Sequence, residues 1–307
     1  MIAVDGLSRI VLICRDAGRL CEFYRRALGF TPIDDAPKAD PDFAALIGLA
    51  SGRASTLMMA LGGQRVALVQ VAPPGRPYPD HVAGYDLAFQ HFAIVVFDMN
   101  SAFAALQRLD GWTAISTGGP QTLPDSSGGV AAFKFRDPEG HPLELLAFPP
   151  DKRPVRWAGQ PGDTCQGIDH SAISVADTAK SIAFYDRLGL RRFAGSHNAG
   201  AEQQRLDGLA DAVVEVTALS PPMHRTPHVE LLCYRGYCDR RKTISDPAEI
   251  AATQLVFAVV REAFDGLVEC NGEAICSGPV ISQTGSSRVL LRDPDGHLLC
   301  LETSSPD

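Results

Sequence analysis

The sequence predicts an α+β fold built from four βαβββ modules in one chain. Residues 6–30 and 167–190 share a pattern, an apolar strand followed by a helix that contains a Phe-Tyr pair and ends near glycine. Each half of the chain also closes on a shared hairpin pattern, FRDPEGHPLELLAF at 135–148 and LRDPDGHLLCLET at 291–303. Repeated sequence indicates repeated structure, so each position can be compared with its twin in another module.

The first module shows the order of elements most clearly. The short β-branched run at 9–14 predicts a buried strand. Asp16 is the predicted N-cap of the helix that follows, and Gly29 is predicted to end that helix. Two further strand patterns at 55–63 and 64–71 complete the module.

The same order of elements recurs three times along the chain. It appears at 91–148, where Asn100 is the predicted cap of the helix, and again at 167–237 and 252–303. We number these four modules 1 to 4. The Pro-, Gly- and charge-rich stretch 151–166 predicts a linker between a half that spans 1–150 and a half that spans 167–307.

Composition limits the classes of function. The chain has 307 residues, an apolar fraction of 45% and a formal net charge of −8, without a basic run. This balance argues against nucleic acid and against an anionic membrane surface as partners. No apolar run reaches the length of a spanning helix, and the first fifteen residues do not have the pattern of a signal peptide. The oligomeric state stays open between a monomer and a homodimer.

Eight cysteines are present, and none forms a CxxC pair. Several of them lie in apolar runs, such as VLIC at 11–14. Free cysteine is commonly a small buried side chain in reducing compartments. We therefore expect reduced, buried thiols and a cytoplasmic location.

These motifs resemble the vicinal oxygen chelate superfamily, which includes glyoxalase I, extradiol dioxygenases and bleomycin resistance proteins. The resemblance is carried by His170 and the stretch SAISVADTAKSIAFYDRLGL after it, by the matching stretch at 9–30, and by the DPEGH and DPDGH turns. It implies that two modules pair into a cup with a metal on its floor. The ligands would come from the start of the first strand and the middle of the last strand of each module.

The resemblance assigns these ligand positions to eight residues. The first-strand positions are Arg9, His91, His170 and Gln254, and the last-strand positions are Ala67, Glu144, Glu230 and Cys300. Pairing within each half would give two cups with half a ligand set each. Pairing module 2 with module 3 instead collects both histidines and both glutamates. We therefore predict that modules 2+3 and 1+4 pair, with His91, Glu144, His170 and Glu230 as the metal ligands.

The predicted ligand set indicates a class of chemistry. Two imidazoles and two carboxylates suit one divalent metal, such as Zn, Ni, Co, Fe or Mn. By resemblance, Glu144 takes the position of the catalytic base, and Glu230 could share that role. The sequence therefore predicts a glyoxalase-like lyase or isomerase that acts on a small molecule with vicinal oxygens. Glutathione is disfavoured as co-substrate, because Ser174 and Tyr234 stand where bacterial glyoxalase I has Arg and Asn.

Two alternatives remain open at this point. The metal triad of an extradiol dioxygenase would fall on His170, Gln254 and Cys300, two of which are unsuited to iron. The predicted cup of modules 2 and 3 could still supply His91, His170 and Glu144 as a facial triad. The other alternative is a non-catalytic protein of the resistance type that binds a small molecule.

The remaining histidines of interest are expected to lie outside the metal shell. His141 and His297 belong to the two DP-Glu/Asp-GH turns and are expected to be structural. His224 and His228, in the Pro-rich stretch 221–228, are expected to belong to a loop.

Overall fold

A computed structural model describes residues 3–158, 164–237, 240, 246–282 and 285–303. The helices are α1 Ala17–Leu28, α2 Pro41–Leu46, α3 Met99–Gln107, α4 Thr178–Arg187, α5 Ala201–Asp207 and α6 Arg261–Cys270. The strands of modules 1 and 2 are β1 Gly6–Cys14, β2 Thr31–Pro32, β3 Lys38–Ala39, β4 Arg53–Leu61, β5 Gln64–Ala72, β6 Gln90–Val96, β7 Thr113–Ala114, β8 Gln121–Thr122, β9 Ala131–Arg136 and β10 Pro142–Ala147. Those of modules 3 and 4 are β11 Cys165–Ser174, β12 Arg191–Asn198, β13 Val214–Ser220, β14 His228–Tyr234, β15 Gln254–Val259, β16 Ile275–Ile281, β17 Ser287–Arg292 and β18 Leu298–Thr303.

These strands form two nine-stranded sheets in the described part of the chain, and each sheet joins modules from both halves. One sheet has the order β16-β17-β18-β15-β1-β5-β4-β2, with β3 on β4. The other has the order β12-β13-β14-β11-β6-β10-β9-β7, with β8 on β9. Modules 1 and 4 meet through antiparallel β1 and β15, and modules 2 and 3 meet through antiparallel β6 and β11. The predicted α+β fold and its crossed pairing of modules are confirmed.

Strand register places the two pairs of modules on one backbone plan. In the sheet of modules 2 and 3, one row of paired residues crosses three strands, and the other sheet has a matching row. The first row is Glu144, Ala93 and His170, and the matching row is Cys300, Val256 and Arg9. Residues of the two sheets can therefore be compared position by position.

The first helix begins and ends as predicted, whereas the cap of the third helix differs. The Asp16 carboxylate accepts a first-turn backbone N–H at 2.9 Å, and Gly29 ends α1 with a φ of 70°. The predicted cap Asn100 is wrong, because it already lies inside α3. Asp98 caps that helix, and its carboxylate accepts the Ser101 N–H at 2.7 Å. An aspartate two residues earlier reaches the free N–H groups of the first turn.

Two short helices, α2 and α5, were not predicted, because each is too short to show a helical period. Helix α2 leaves module 1 and packs against β16 and β17 of module 4. Helix α5 leaves module 3 and packs against β8 and β9 of module 2. Each is followed by a glycine with positive φ, Gly48 after α2 and Gly208 after α5. The two helices therefore occupy equivalent places over the two sheets.

The DPEGH and DPDGH turns connect the two sheets through hydrogen bonds. The His141 ring places Nδ1 2.8 Å from Asp137 Oδ2 and Nε2 3.0 Å from the carbonyl oxygen of Ile13 in β1. The His297 Nε2 lies 2.9 Å from the carbonyl oxygen of Ser174 in β11. Both contacts cross between the sheets, which agrees with the structural role expected for these two histidines. The largest apolar core likewise draws residues from all four modules.

The described cysteines are free thiols, and their burial differs from expectation at three positions. The buried ones are Cys14, Cys165, Cys233 and Cys300. Cys21 is half-buried, whereas Cys270 and Cys276 are exposed because they lie at the end of α6 and in the edge strand β16. Cys238 lies outside the described residues. None of the helices in the described ranges is long and apolar enough to cross a membrane.

Candidate metal centre

Four strands bring the predicted ligands together on one face of the sheet of modules 2 and 3. His91 lies on β6, Glu144 on β10, His170 on β11 and Glu230 on β14. We call this face the polar cup. His91 Nε2 lies 2.8 Å from Glu144 Oε2, and His170 Nε2 lies 3.5 Å from Glu230 Oε2. The strands β14, β11, β6 and β10 are adjacent in the sheet, so strand pairing brings the four side chains together.

The innermost three residues are arranged in a way that suits a metal. One ligand atom each from His91, Glu144 and His170 lies within 4.8 Å of the other two. Both ring nitrogens of His91 are buried, and among the described residues neither has a hydrogen bond of good geometry, although Nε2 lies 2.8 Å from Glu144 Oε2. Buried polar atoms normally have hydrogen-bond partners, so an imidazole that only faces ligand atoms indicates a different partner. This set of nitrogen and oxygen donors fits a divalent metal ion.

Asp169 is a site residue that the sequence interpretation missed. Its Oδ2 lies 3.2 Å from His170 Nδ1, and its Oδ1 accepts the indole N–H of Trp157 at 3.1 Å. Neighbours on a regular strand point to opposite faces, but the register between β11 and β6 shifts between Ile168 and His170. This irregularity lets Asp169 lie beside the His170 ring. A carboxylate on Nδ1 fixes the ring and directs Nε2 towards the ligand cluster.

His228 is the second residue that the sequence interpretation misplaced. It was expected in a loop, but it is the first residue of β14 and pairs in register with His170. Its Nε2 lies 3.3 Å from Glu230 Oε1, and the ring is buried against the ring of Phe193. The error arose because the strand begins directly after the Pro-rich stretch. His224 does lie in the connecting loop, as expected.

Burial and neighbouring charges set the protonation of the cluster. Burial lowers the pKa of His91, which favours the neutral imidazole that a metal requires. Burial raises the pKa of Glu144, but nearby cationic groups, Lys134 first, outweigh it and bring this pKa to about 2. Burial lowers the pKa of His170, yet the surrounding carboxylates, Glu230 first, raise it to about 9. The carboxylates at the floor of the polar cup are therefore held in their ionised form.

A cavity of about 360 Å³ opens over this cluster. Its walls are mainly apolar, with Leu146, Leu206 and Leu232 among them. Besides the four predicted ligands and Asp169, six polar side chains line it, namely Ser127, Lys134, Ser196, Asn198, Gln203 and Tyr234. Ser174 does not line it, because its hydroxyl is buried in a hydrogen bond to the carbonyl of Gly84. The cavity has the size and lining of a small-molecule site.

The equivalent face of the other sheet, which we call the apolar cup, has Arg9, Ala67, Gln254 and Cys300 at the four ligand positions. Arg9 forms an ion pair with Glu302. Gln254 is fully buried, and neither of its amide atoms has a hydrogen-bond partner among the described residues. Ala67 and Cys300 belong to an apolar cluster with Phe43 of α2. In the described ranges, the groups of side chains that could hold a metal lie in the polar cup alone.

A fold of four βαβββ modules with one polar cup defines a recognisable class, and comparison with known proteins gives the family. The chain belongs to the Glyoxalase/Bleomycin resistance protein/Dioxygenase superfamily, whose model matches residues 6–145 and 167–301. This confirms the resemblance drawn from the strand–helix repeats and the turns. No curated protein sequence matches the chain.

Solved structures share the fold at low sequence identity. Glyoxalase I from Zea mays is 17% identical, with a TM-score of 0.61 over 97% of this chain and 92% of that one. A mutant of the same enzyme gives a TM-score of 0.64. A putative dioxygenase from Bacillus subtilis is 13% identical, with a TM-score of 0.59 over 100% of this chain and 87% of that one. These likenesses concern the arrangement of four modules and do not choose between activities.

Proposed function

We propose that this chain is a metal-dependent, glyoxalase-like enzyme of lyase or isomerase type that acts on a small molecule with vicinal oxygens. His91, Glu144, His170 and Glu230 would hold one divalent metal at the floor of the polar cup. When bound, such a metal polarises a substrate carbonyl and stabilises negative charge on adjacent oxygens. The observation that carries the proposal is the buried His91–Glu144–His170 group under a cavity of small-molecule size.

The two carboxylates have different surroundings, which suggests different roles. Glu144 is tightly enclosed and in contact with His91, so it serves first as a ligand. The Glu230 side chain is 21% exposed, lines the cavity and contacts both His170 and His228. A carboxylate that faces the substrate is placed to accept a proton from a C–H next to a polarised carbonyl. Glu230 is therefore our leading base, and Glu144 remains the second candidate because it holds the family's base position.

His228 supports the proton transfer at Glu230. Its Nε2 is within hydrogen-bond distance of the Glu230 oxygen that points away from His170. A ring in this place orients the carboxylate and can hold a proton that Glu230 has taken up. The apolar cavity wall excludes water from the same region and so limits loss of that proton to solvent.

Metal analysis of protein purified without added metal tests the proposal. We expect about one divalent metal per chain in the wild type and none in His91→Ala or His170→Ala, because each variant removes one ligand. Gln254→Ala is the matched control, since it changes the equivalent strand position in the apolar cup. Metal that survives His91→Ala but not His170→Ala would contradict a shared site. A metal-free wild type would instead support a non-catalytic binding protein.

A dioxygenase of the extradiol type is the second candidate. The three-residue group His91, Glu144 and His170 has the composition of the facial triad of non-haem iron oxygenases. Consumption of oxygen by the iron-loaded protein with catechols would favour this alternative. Exchange of a C–H hydrogen for deuterium in small hydroxyketones, followed by NMR without oxygen uptake, would favour the lyase or isomerase.

A further inference from the structure

A buried polar network lies beside the proposed metal site and contains none of the predicted metal ligands. Lys134 Nζ donates to Asp207 Oδ1 at 2.7 Å, and Gln203 Nε2 donates to Asp207 Oδ2 at 2.7 Å. Tyr234 Oη also donates to Asp207 Oδ2, at 3.0 Å. All four side chains are buried. Lys134 is the strand partner of Glu144, so the network begins one strand away from the ligand cluster.

Counting donors and acceptors shows what the network leaves unused. An ammonium group has three N–H donors, and among the described residues the Lys134 ammonium makes one hydrogen bond, to Asp207. Gln203 Oε1 is buried and has no hydrogen-bond partner among the described residues. Both side chains are anchored on the two oxygens of one carboxylate, and both line the cavity. Two free N–H donors of Lys134 and one free acceptor of Gln203 therefore belong to side chains that are held on the same carboxylate at the cavity wall.

The apolar cup provides an internal comparison for each member of this network. Lys134 opposes Glu144 as Leu290 opposes Cys300. Counting back from the glycine after each short helix, Gln203 of α5 corresponds to Phe43 of α2, and Asp207 corresponds to Ile47, the residue that caps α2. Tyr234 lies four residues after Glu230, as Val71 lies four after Ala67. The four apolar counterparts, which pack in one cluster, are Leu290, Ile47, Phe43 and Val71.

This comparison separates what the fold needs from what a ligand would need. The same backbone positions are filled by apolar side chains in one cup, so the architecture does not require a buried ion pair there. Burying a lysine and an aspartate carries a desolvation cost that well-packed apolar side chains avoid. An unsatisfied amide oxygen adds to this cost. The polar residues thus have a use that is specific to the cup with the cavity.

We propose that Lys134 and Gln203 bind a hydroxyl group of the substrate. The hydroxyl oxygen would accept an N–H from Lys134, and the hydroxyl hydrogen would be donated to Gln203 Oε1. One hydroxyl group would thus satisfy the free acceptor and one of the two free donors. This inference rests on the proposed function and narrows its substrate class. The substrate is a small hydroxylated compound whose hydroxyl is separate from the two oxygens directed at the metal.

Two hydroxypyranones test this inference with the cobalt(II)-loaded protein. Kojic acid and allomaltol chelate metals through the same vicinal oxygens, and they differ only by a hydroxymethyl in place of a methyl. Dissociation constants are read from the visible spectrum of the cobalt centre. We expect the wild type to bind kojic acid at least about tenfold more tightly than allomaltol, as one added hydrogen-bonded group allows. Equal affinities for the two compounds would overturn the inference.

Two variants show whether the preference comes from this network. Lys134→Leu/Asp207→Ile copies the residues of the apolar cup, and Gln203→Met removes the free acceptor at nearly constant size. We expect both variants to lose the preference for kojic acid over allomaltol, and Gln203→Met, which changes no charge, to bind cobalt and allomaltol as the wild type does. A preference that persists in both variants would overturn the inference. A wild type that binds no metal would overturn the proposed function with it, whereas a metal-loaded protein without selectivity overturns the hydroxyl site alone.

Discussion

The polar and apolar cups share one backbone plan and differ in what fills the space over the sheet. Strand pairing places His170 and Arg9 at equivalent points, and likewise Glu144 and Cys300. Over the apolar cup, helix α2 inserts Phe43 into a cluster with residues of modules 1 and 4. Over the polar cup, helix α5 presents polar side chains and a cavity remains.

The difference shows that a binding site needs both ligands and space. The apolar cup has Arg, Ala, Gln and Cys at the four ligand positions, so it lacks the coordinating group. Its helix α2 has apolar side chains where α5 has polar ones, and these side chains fill the space over the four positions. Over the four equivalent positions of the apolar cup, residues from β5 to β18 belong to one apolar cluster. The comparison can be tested from either side.

The largest expected effect is on stability, at Phe43 of the apolar cup. Phe43→Ala removes a buried ring that fills the space under α2, so we expect the free energy of unfolding to fall by about 3–5 kcal/mol. Gln203→Ala at the equivalent place in the polar cup is the matched control, with an expected loss below about 1.5 kcal/mol. Urea denaturation of both variants measures the difference. Equal losses would mean that the two helices contribute alike, against the distinction drawn here.

The next effect is on metal affinity, at Asp169. Asp169→Asn keeps the shape of the side chain but removes the charge that holds the His170 ring, so we expect about 10- to 100-fold weaker metal binding. Ser8 is the equivalent residue of the apolar cup, and its hydroxyl donates to the carbonyl of Val256. Ser8→Ala should leave metal affinity unchanged. Competition with a chromophoric chelator gives both constants, and an unchanged constant for Asp169→Asn would remove Asp169 from the site.

The third effect concerns the dependence of stability on pH in the apolar cup. Glu302 contacts Arg9 and Arg288, and although burial raises its pKa, these arginines outweigh burial and hold the pKa below its usual range. Since the folded pKa is the lower one, the stabilisation is present above the unfolded pKa and is lost as pH falls through the folded pKa.

Glu302→Gln should therefore lower the free energy of unfolding by about 2 kcal/mol at pH 7, and by less below about pH 4. Urea denaturation at both values of pH measures this change. Glu22→Gln, which breaks an exposed ion pair with Arg25, is the control and should have no measurable effect. A difference for Glu302→Gln that is constant with pH would show that charge pairing is not its cause.

Much of the fold follows from features that the sequence displays locally. The β-branched runs, Asp16 and Gly29, and the two turns with Asp-Pro, Gly and His each specify their element through short-range physics. The elements missed, α2 and α5, are too short to have a period, and their stability comes from packing onto the partner module. The predicted cap Asn100 lies two residues from the observed cap Asp98, since both residue types are good caps and only the local geometry distinguishes them.

The candidate site was predicted in outline and incompletely. His91, Glu144, His170 and Glu230 could be selected because repeated modules make equivalent positions visible in the sequence. Asp169 was missed because regular alternation along a strand would place it on the face opposite to His170. The shift in register between Ile168 and His170 instead places it beside the His170 ring. The placement of these four residues as ligands remains a prediction for metal analysis to test.

The sequence by itself determined the number of modules and, through the distribution of His and Glu, which modules pair. Both follow from repetition, since each copy of a pattern encodes the same local structure. The tertiary structure alone decided which cup keeps a cavity, because α2 and α5 each reach across to a partner module. It also decided that Lys134, Asp207 and Gln203 meet, since hydrogen bonds between residues of different modules have no local signature in the chain.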